Sequence, residues 1–76
     1  MTDVRIDESF WEGDDPAALT TWYYSDGAYV EAGNVIAEIM LQKTQMEIEA
    51  PVSGTLHHKT QIEQAVRKGD VIAVID

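Results

Sequence analysis

The chain has 76 residues and a formal charge of −9. That length gives room for one domain, residues 1–76, and little for a deep catalytic cavity beside a core. The acidity excludes nucleic-acid and anionic-membrane binding, which need a basic surface, and the lack of cysteine excludes disulfides, zinc–thiolate sites and thiol nucleophiles.

The start, Met1-Thr2-Asp3-Val4-Arg5, lacks the basic and apolar regions of a secretory leader. No apolar run approaches the ~20 residues of a membrane span, so the expected compartment is the cytoplasm. The first turn signal is Gly13-Asp14-Asp15-Pro16. Here alone a helix is allowed, with Asp15 as cap and Pro16 at the first position before Ala17-Ala18. Leu19–Tyr24 is rich in strand formers, and Ser25-Asp26-Gly27 closes it. After Ala32-Gly33-Asn34, the run Val35–Leu41 predicts a second strand. Met46–Ala50 alternates apolar and polar with period two and predicts a third. Pro51-Val52-Ser53-Gly54 and Lys68-Gly69-Asp70 are further turns, the latter leading into the β-branched run Val71–Ile75. Short strands this close together predict an all-β barrel or sandwich.

The chain repeats itself once. Val30–Ile39 and Val66–Ile75 share the pattern V-x-x-G-x-V-I-A-x-I at a constant offset of 36 residues. Two copies are too few for a solenoid. They predict two similar half-sheets facing each other across a pseudo-two-fold axis, with inner-face side chains from each Val-Ile-Ala-x-Ile run.

Other chemistry-bearing groups read as structural. His57 and His58 are adjacent on a strand, point to opposite faces, and cannot share one metal ion. Glu47 and Glu49 form a solvated face opposite Met46 and Ile48, not a glycosidase-type pair. Trp11, Trp22, Tyr23 and Tyr24 are expected to pack at the core and its edges, and Met40 and Met46 to fill core or flank a hairpin. No G-x-S-x-G elbow and no phosphate loop occurs, so no catalytic residue is assigned.

One segment stands out. Only Gln42-Lys43-Thr44 separates the run ending at Leu41 from the one beginning near Gln45, which predicts a tight hairpin with Lys43 at its tip. Lys43 is the only basic residue between Arg5 and Lys59. Spacing and charge alone read it as a solvated turn lysine.

The chain from Trp22 to Ile75 resembles the biotinyl/lipoyl attachment domain family. Gly27 sits sixteen residues before Lys43 and Gly54 eleven after it, as the family's glycines sit about its modified lysine. Val30-Glu31-Ala32-Gly33 resembles its V-E-x-G turn, Glu47–Leu56 its E-V-x-A-P-x-S-G-x-L strand and turn, and Val66–Ile75, with Gly69, its closing V-x-x-G-D-x-[LI]-A-x-[IL]. The resemblance implies a flattened barrel-sandwich of two four-stranded sheets with quasi-two-fold symmetry. It also implies a lipoyl or biotinyl group in amide linkage to Lys43, on a carrier that is not itself an enzyme. The implied partners are a lipoate- or biotin-protein ligase and the enzymes of the parent complex.

Lipoyl members carry D-K-A or D-K-T and biotinyl members A-M-K-M. Here Lys43-Thr44 matches the lipoyl form, while Gln42 replaces Asp and Met40 stands where both branches often have Glu. The expected cofactor is lipoate, in a 2-oxo-acid dehydrogenase-type system. The alternatives are a biotinyl carrier of a carboxylase or decarboxylase, and an unmodified docking module. Glu12-Gly13 and Trp22 match the family's E-G and strand tryptophan but are about four residues further apart, within Asp14–Ala18. That longer acidic loop is expected to influence partner choice or to be a tolerated surface insertion.

Overall fold

The computed structural model describes residues 1–13 and 15–76. The described residues contain eight strands: β1 (Thr2–Arg5), β2 (Ala17–Trp22), β3 (Tyr29–Val30), β4 (Val35–Leu41), β5 (Thr44–Glu49), β6 (Gly54–His58), β7 (Ala65–Val66) and β8 (Val71–Ile75). They form two antiparallel sheets, ordered β1-β8-β6-β3 and β5-β4-β2-β7. Moving each strand of the first sheet four places along the chain, cyclically, gives the second in the same order. The two-fold relation read from the repeat is thus the organising symmetry of a flattened body, 31 × 20 × 17 Å.

The repeat folds as a strand, a tight turn and a longer strand in each half. In one copy Asn34 accepts the Glu31 amide at 2.8 Å; in the other Asp70 accepts the Arg67 amide at 2.8 Å. Gly33 N–H donates to Ala50 O, and Gly69 N–H to Ile6 O, both at 2.8 Å. A short side chain that bonds back to the backbone favours a turn over a continued strand. The unspecified position after each repeat glycine therefore holds Asn or Asp for a reason.

The core lies between the sheets. Leu19, Ile36, Ile39, Ile48 and Val66 come from one sheet, and Val4, Val30, Leu56, Ile72 and Ile75 from the other. Each such side chain contributes about 1.5–3 kcal/mol on burial. Strict alternation fails at Ile36-Ala37, both buried, because a bulge between Val35 and Ala37 shifts the register against β5. Trp11, Trp22 and Tyr24 pack against the core, while Tyr23 is 49% exposed.

The helix allowed at Asp15–Ala18 does not form. Ala17 opens β2, paired with Val66, and Ala18 pairs with Ala65 on one side and Met40 on the other. Two neighbouring strands satisfy this backbone and bury Ala17, which one isolated helical turn could not do. Asp14, part of the longer loop, lies outside the described residues.

Gly54 is required by proximity. A Cβ there would lie 2.6 Å from the Asp76 carbonyl oxygen and 2.8 Å from Ile75 Cγ2. β6 can approach the end of β8 this closely only without a side chain.

Candidate functional site

Lys43 stands at the tip of the β4–β5 hairpin. Leu41 pairs with Thr44, so the loop is the two residues Gln42-Lys43, one shorter than the sequence suggests. Below it the strands pair from Leu41↔Thr44 to Val35↔Glu49. Buried Ile39 and Ile48 anchor them, and Leu41 and Met46 pack against the core near the tip. Gln42, Lys43 and Thr44 are all exposed. Gln42 has φ 55°, whereas Lys43 is not among the residues of positive φ. These are the φ signs of a type II′ hairpin turn, in which only the first central residue is left-handed.

Among the described residues nothing forms a hydrogen bond or ion pair with the Lys43 ammonium. The lysine is therefore a free primary amine on a rigid base. In its neutral form such an amine attacks an activated acyl carbon and gives an amide. That chemistry suits a covalently carried acid, and the exposed tip leaves room for a long arm.

Beneath the tip, on the same sheet, Glu38 and Glu47 pair directly across β4 and β5. Like charges in that position repel. Glu38 is held by hydroxyls instead: Tyr23 donates to Oε2 at 2.8 Å, and Thr20 approaches Oε1 at 3.4 Å and donates to the Glu38 carbonyl at 3.1 Å. The hydrogen bond to Glu38 pushes the Tyr23 phenol above its ordinary value, and burial and the charges of Glu38 and Glu47 add to this. Sequence reasoning missed this group. Its one signal, a hydroxyl-rich strand opposite a lone Glu in an apolar run, acquires meaning only through the β2–β4 register.

The β1–β2 loop is held by its own contacts and by Lys68 of the β7–β8 turn. Asp7 accepts both the amide and the hydroxyl of Ser9, and those two bonds lower its pKa below the ordinary 3.8. Trp11 Nε1–H donates to the Asp15 carbonyl, and Lys68 donates to the Trp11 carbonyl at 3.0 Å with its ammonium 5.9 Å from the indole centre. Because Ala18 pairs with Met40, the segment entering β2 arrives at the hairpin end of the sheet.

The turn glycines Gly27, Gly33 and Gly69, with φ of 88–90°, and close-packed Gly54 shape the framework away from the tip. Only Gln42, Lys43 and Thr44 come together there. His58 Nε2 faces the Tyr24 carbonyl at 2.9 Å, and no group of three or more His, Cys, Asp or Glu among the described residues is placed to hold a metal.

A family model described as biotin-requiring enzyme matches residues 12–75. The chain is similar to acetyl-CoA carboxylase 2 of Oryza sativa subsp. japonica, 36% identical over 61 residues, covering 80% of this chain and 3% of that protein. Acetyl-CoA carboxylase 1 of Arabidopsis thaliana is 33% identical over 61 residues, again 80% and 3%. The dihydrolipoyllysine-residue acetyltransferase component of the pyruvate dehydrogenase complex of Staphylococcus aureus is 36% identical over 72 residues, 93% of this chain and 16% of that protein. The chain thus spans only a small part of the length of these relatives.

Proposed function

The chain belongs to the biotin- and lipoyl-attachment family of biotin-requiring enzymes, and from that premise we propose that it is a carrier domain bearing lipoate on Lys43 for a 2-oxo-acid dehydrogenase-type complex. Domains of this family carry a covalent cofactor and present it to enzymes, and they do not catalyse the reaction themselves. The observation that carries the reading is the free ammonium of Lys43 on a two-residue hairpin whose strands are locked in register. Lys43-Thr44 and the lack of methionine at residues 42 and 44 favour lipoate over biotin. The acetyltransferase relative also aligns over more of this chain than the carboxylases do.

Attachment forms an amide between Lys43 Nζ and the carboxyl carbon of an acid activated as a mixed anhydride. The activating group leaves with the electron pair of its C–O bond, and the amine loses a proton. Bound lipoate would supply the acyl- and electron-carrying chemistry. The chain supplies position: the β4–β5 base fixes the tip, and tethering raises the cofactor's local concentration at partner sites. The partners are a lipoate-protein ligase and the enzymes between which the arm moves.

Similarity to the acetyl-CoA carboxylases favours a second reading, a biotinyl carrier served by a biotin-protein ligase. Intact mass and peptide mapping of protein from its native host, grown with lipoate and biotin, separate the two. A lipoyl or octanoyl increment on Lys43, lost in Lys43→Arg, is the expected result. A biotinyl increment selects the second reading. An unmodified Lys43 overturns both and leaves a docking module.

A further inference from the structure

One sheet ends on β5 and the other on β1, and both edges line one open groove of about 450 Å³. Among the described residues no strand pairs with the free side of either. An open edge is a row of unpaired N–H and C=O groups on which a further strand can form. β5 is the longer edge, with six residues against four in β1. It carries Glu47 and Glu49, both exposed and both without a hydrogen bond or ion pair among the described residues.

Charge decides what can add there. Asp3 and Asp7 also line the groove. Arg5, its one cation among the described residues, is already held by Asp3 at 3.2 Å and by the Gly69 carbonyl at 3.1 Å. A second copy of this chain, at −9, would set carboxylate against carboxylate. Within the sheet Glu47 already faces Glu38 directly, so a cation on its open side relieves a repulsion that the fold retains. Apolar surface is present as well, because Phe10 lines the groove and is 36% exposed.

We propose that β5 is a docking edge for an extended basic segment of a partner protein, which adds as a further strand outside β5. Residues two apart on a strand share a face. The guest residues beside Glu47 and Glu49 are therefore Lys or Arg. The one between them lies on the side of buried Ile48, is apolar, and enters the groove with Phe10. Main-chain hydrogen bonds give such a contact its affinity, and the alternation of side chains gives it specificity. The contact is separate from Lys43 and does not depend on what that lysine carries.

The experiment titrates the full chain with a short capped peptide alternating Lys and Val, and reads Kd and location from the backbone amide chemical shifts. Two further peptides separate pairing from charge: one alternates Glu and Val, and the other keeps Lys and Val but is N-methylated at the amides that would face β5. The Lys–Val peptide is expected to bind with shifts concentrated on β5 and to slow hydrogen exchange there. The N-methylated and Glu peptides are expected to bind about tenfold or more weakly, since each lost main-chain bond lowers affinity severalfold. Replacing both Glu47→Gln and Glu49→Gln is expected to weaken the Lys–Val peptide about threefold or more. A thermal midpoint no lower than the parent's shows that this variant is folded. Equal binding of the N-methylated peptide overturns the proposal, by showing that charge alone attracts the probe. Shifts centred away from β5, or undiminished binding to the Gln variant, also overturn it. No binding at millimolar Lys–Val peptide overturns it too, and leaves Glu47 and Glu49 as charges that only guard the edge against a second copy. None of these outcomes touches the carrier reading, which the mass of Lys43 decides.

Discussion

The indole of Trp22 and the imidazole of His58 stack with ring centroids 3.8 Å apart and planes 10° from parallel. The two positions are 36 residues apart, the offset of the repeat, so the stack spans the quasi-two-fold axis. Their polar atoms follow the same symmetry. Trp22 Nε1–H donates to the Thr60 carbonyl at 3.0 Å, and His58 Nε2 lies 2.9 Å from the Tyr24 carbonyl, each acceptor two residues beyond the opposite ring. A carbonyl oxygen only accepts, so Nε2 carries the hydrogen.

This stack ties the end of β2 to the end of β6, and so one sheet to the other. Trp22→Leu and His58→Leu should each cost about 1–3 kcal/mol, since each loses ring contact and orphans a part-buried carbonyl. In a double-mutant cycle read by urea unfolding, the coupling should be about 0.5–1.5 kcal/mol. Strict additivity would mean the rings merely occupy neighbouring space.

The same axis relates Gly27 to Glu63. Gly27 N–H donates to Leu56 O and Glu63 N–H to Leu19 O, both at 2.7 Å, with φ of 88° and 73°. One half meets the left-handed requirement with glycine and the other with glutamate. Glu63→Gly should stabilise the protein by about 0.5–1 kcal/mol, relief of strain being partly offset by the freer unfolded chain. Gly27→Ala should destabilise it by about 1 kcal/mol or more. Thermal midpoints check both, and a destabilising Glu63→Gly would contradict the symmetry argument.

Tyr23 should ionise above the ordinary 10.0, because its phenol donates to Glu38 beside the Glu47 charge. A phenol with a raised pKa in the folded state contributes stability that is present below pH 10.0 and lost as pH rises through the folded value. Glu38→Gln should bring the Tyr23 titration back toward 10.0 in the phenolate ultraviolet band, with Tyr23→Phe as the difference reference. An unchanged titration in Glu38→Gln would leave the shift to burial and the Glu47 charge.

Much of this was legible in the residues. The repeat at offset 36 predicts the two-fold pairing of sheets, because like sequences make like strand–turn–strand units. Period two in Met46–Ala50 places Glu47 and Glu49 outward and Ile48 inward, as found. The short spacing between Leu41 and Gln45 puts Lys43 at a tip, because so few residues connect two strands only as a tight hairpin. By contrast, β3 and β7 have two residues each, too few to show a period. The helix signal at Asp15-Pro16 was a local preference that strand pairing overrode.

By itself, then, the sequence determined the longer strands near Leu19–Tyr24, Val35–Leu41, Met46–Ala50 and Val71–Ile75, that the halves are equivalent, and that one lysine stands apart on a tight turn. These follow from spacing along the chain, and hydrophobic period and turn chemistry report spacing directly. Only the tertiary structure decided that Trp22 meets His58, that Tyr23 and Thr20 hold Glu38, and that Gln42 and Glu63 sit in the left-handed region. Those depend on strand register and on the approach of residues far apart in sequence, which packing of the whole core fixes and no local window contains.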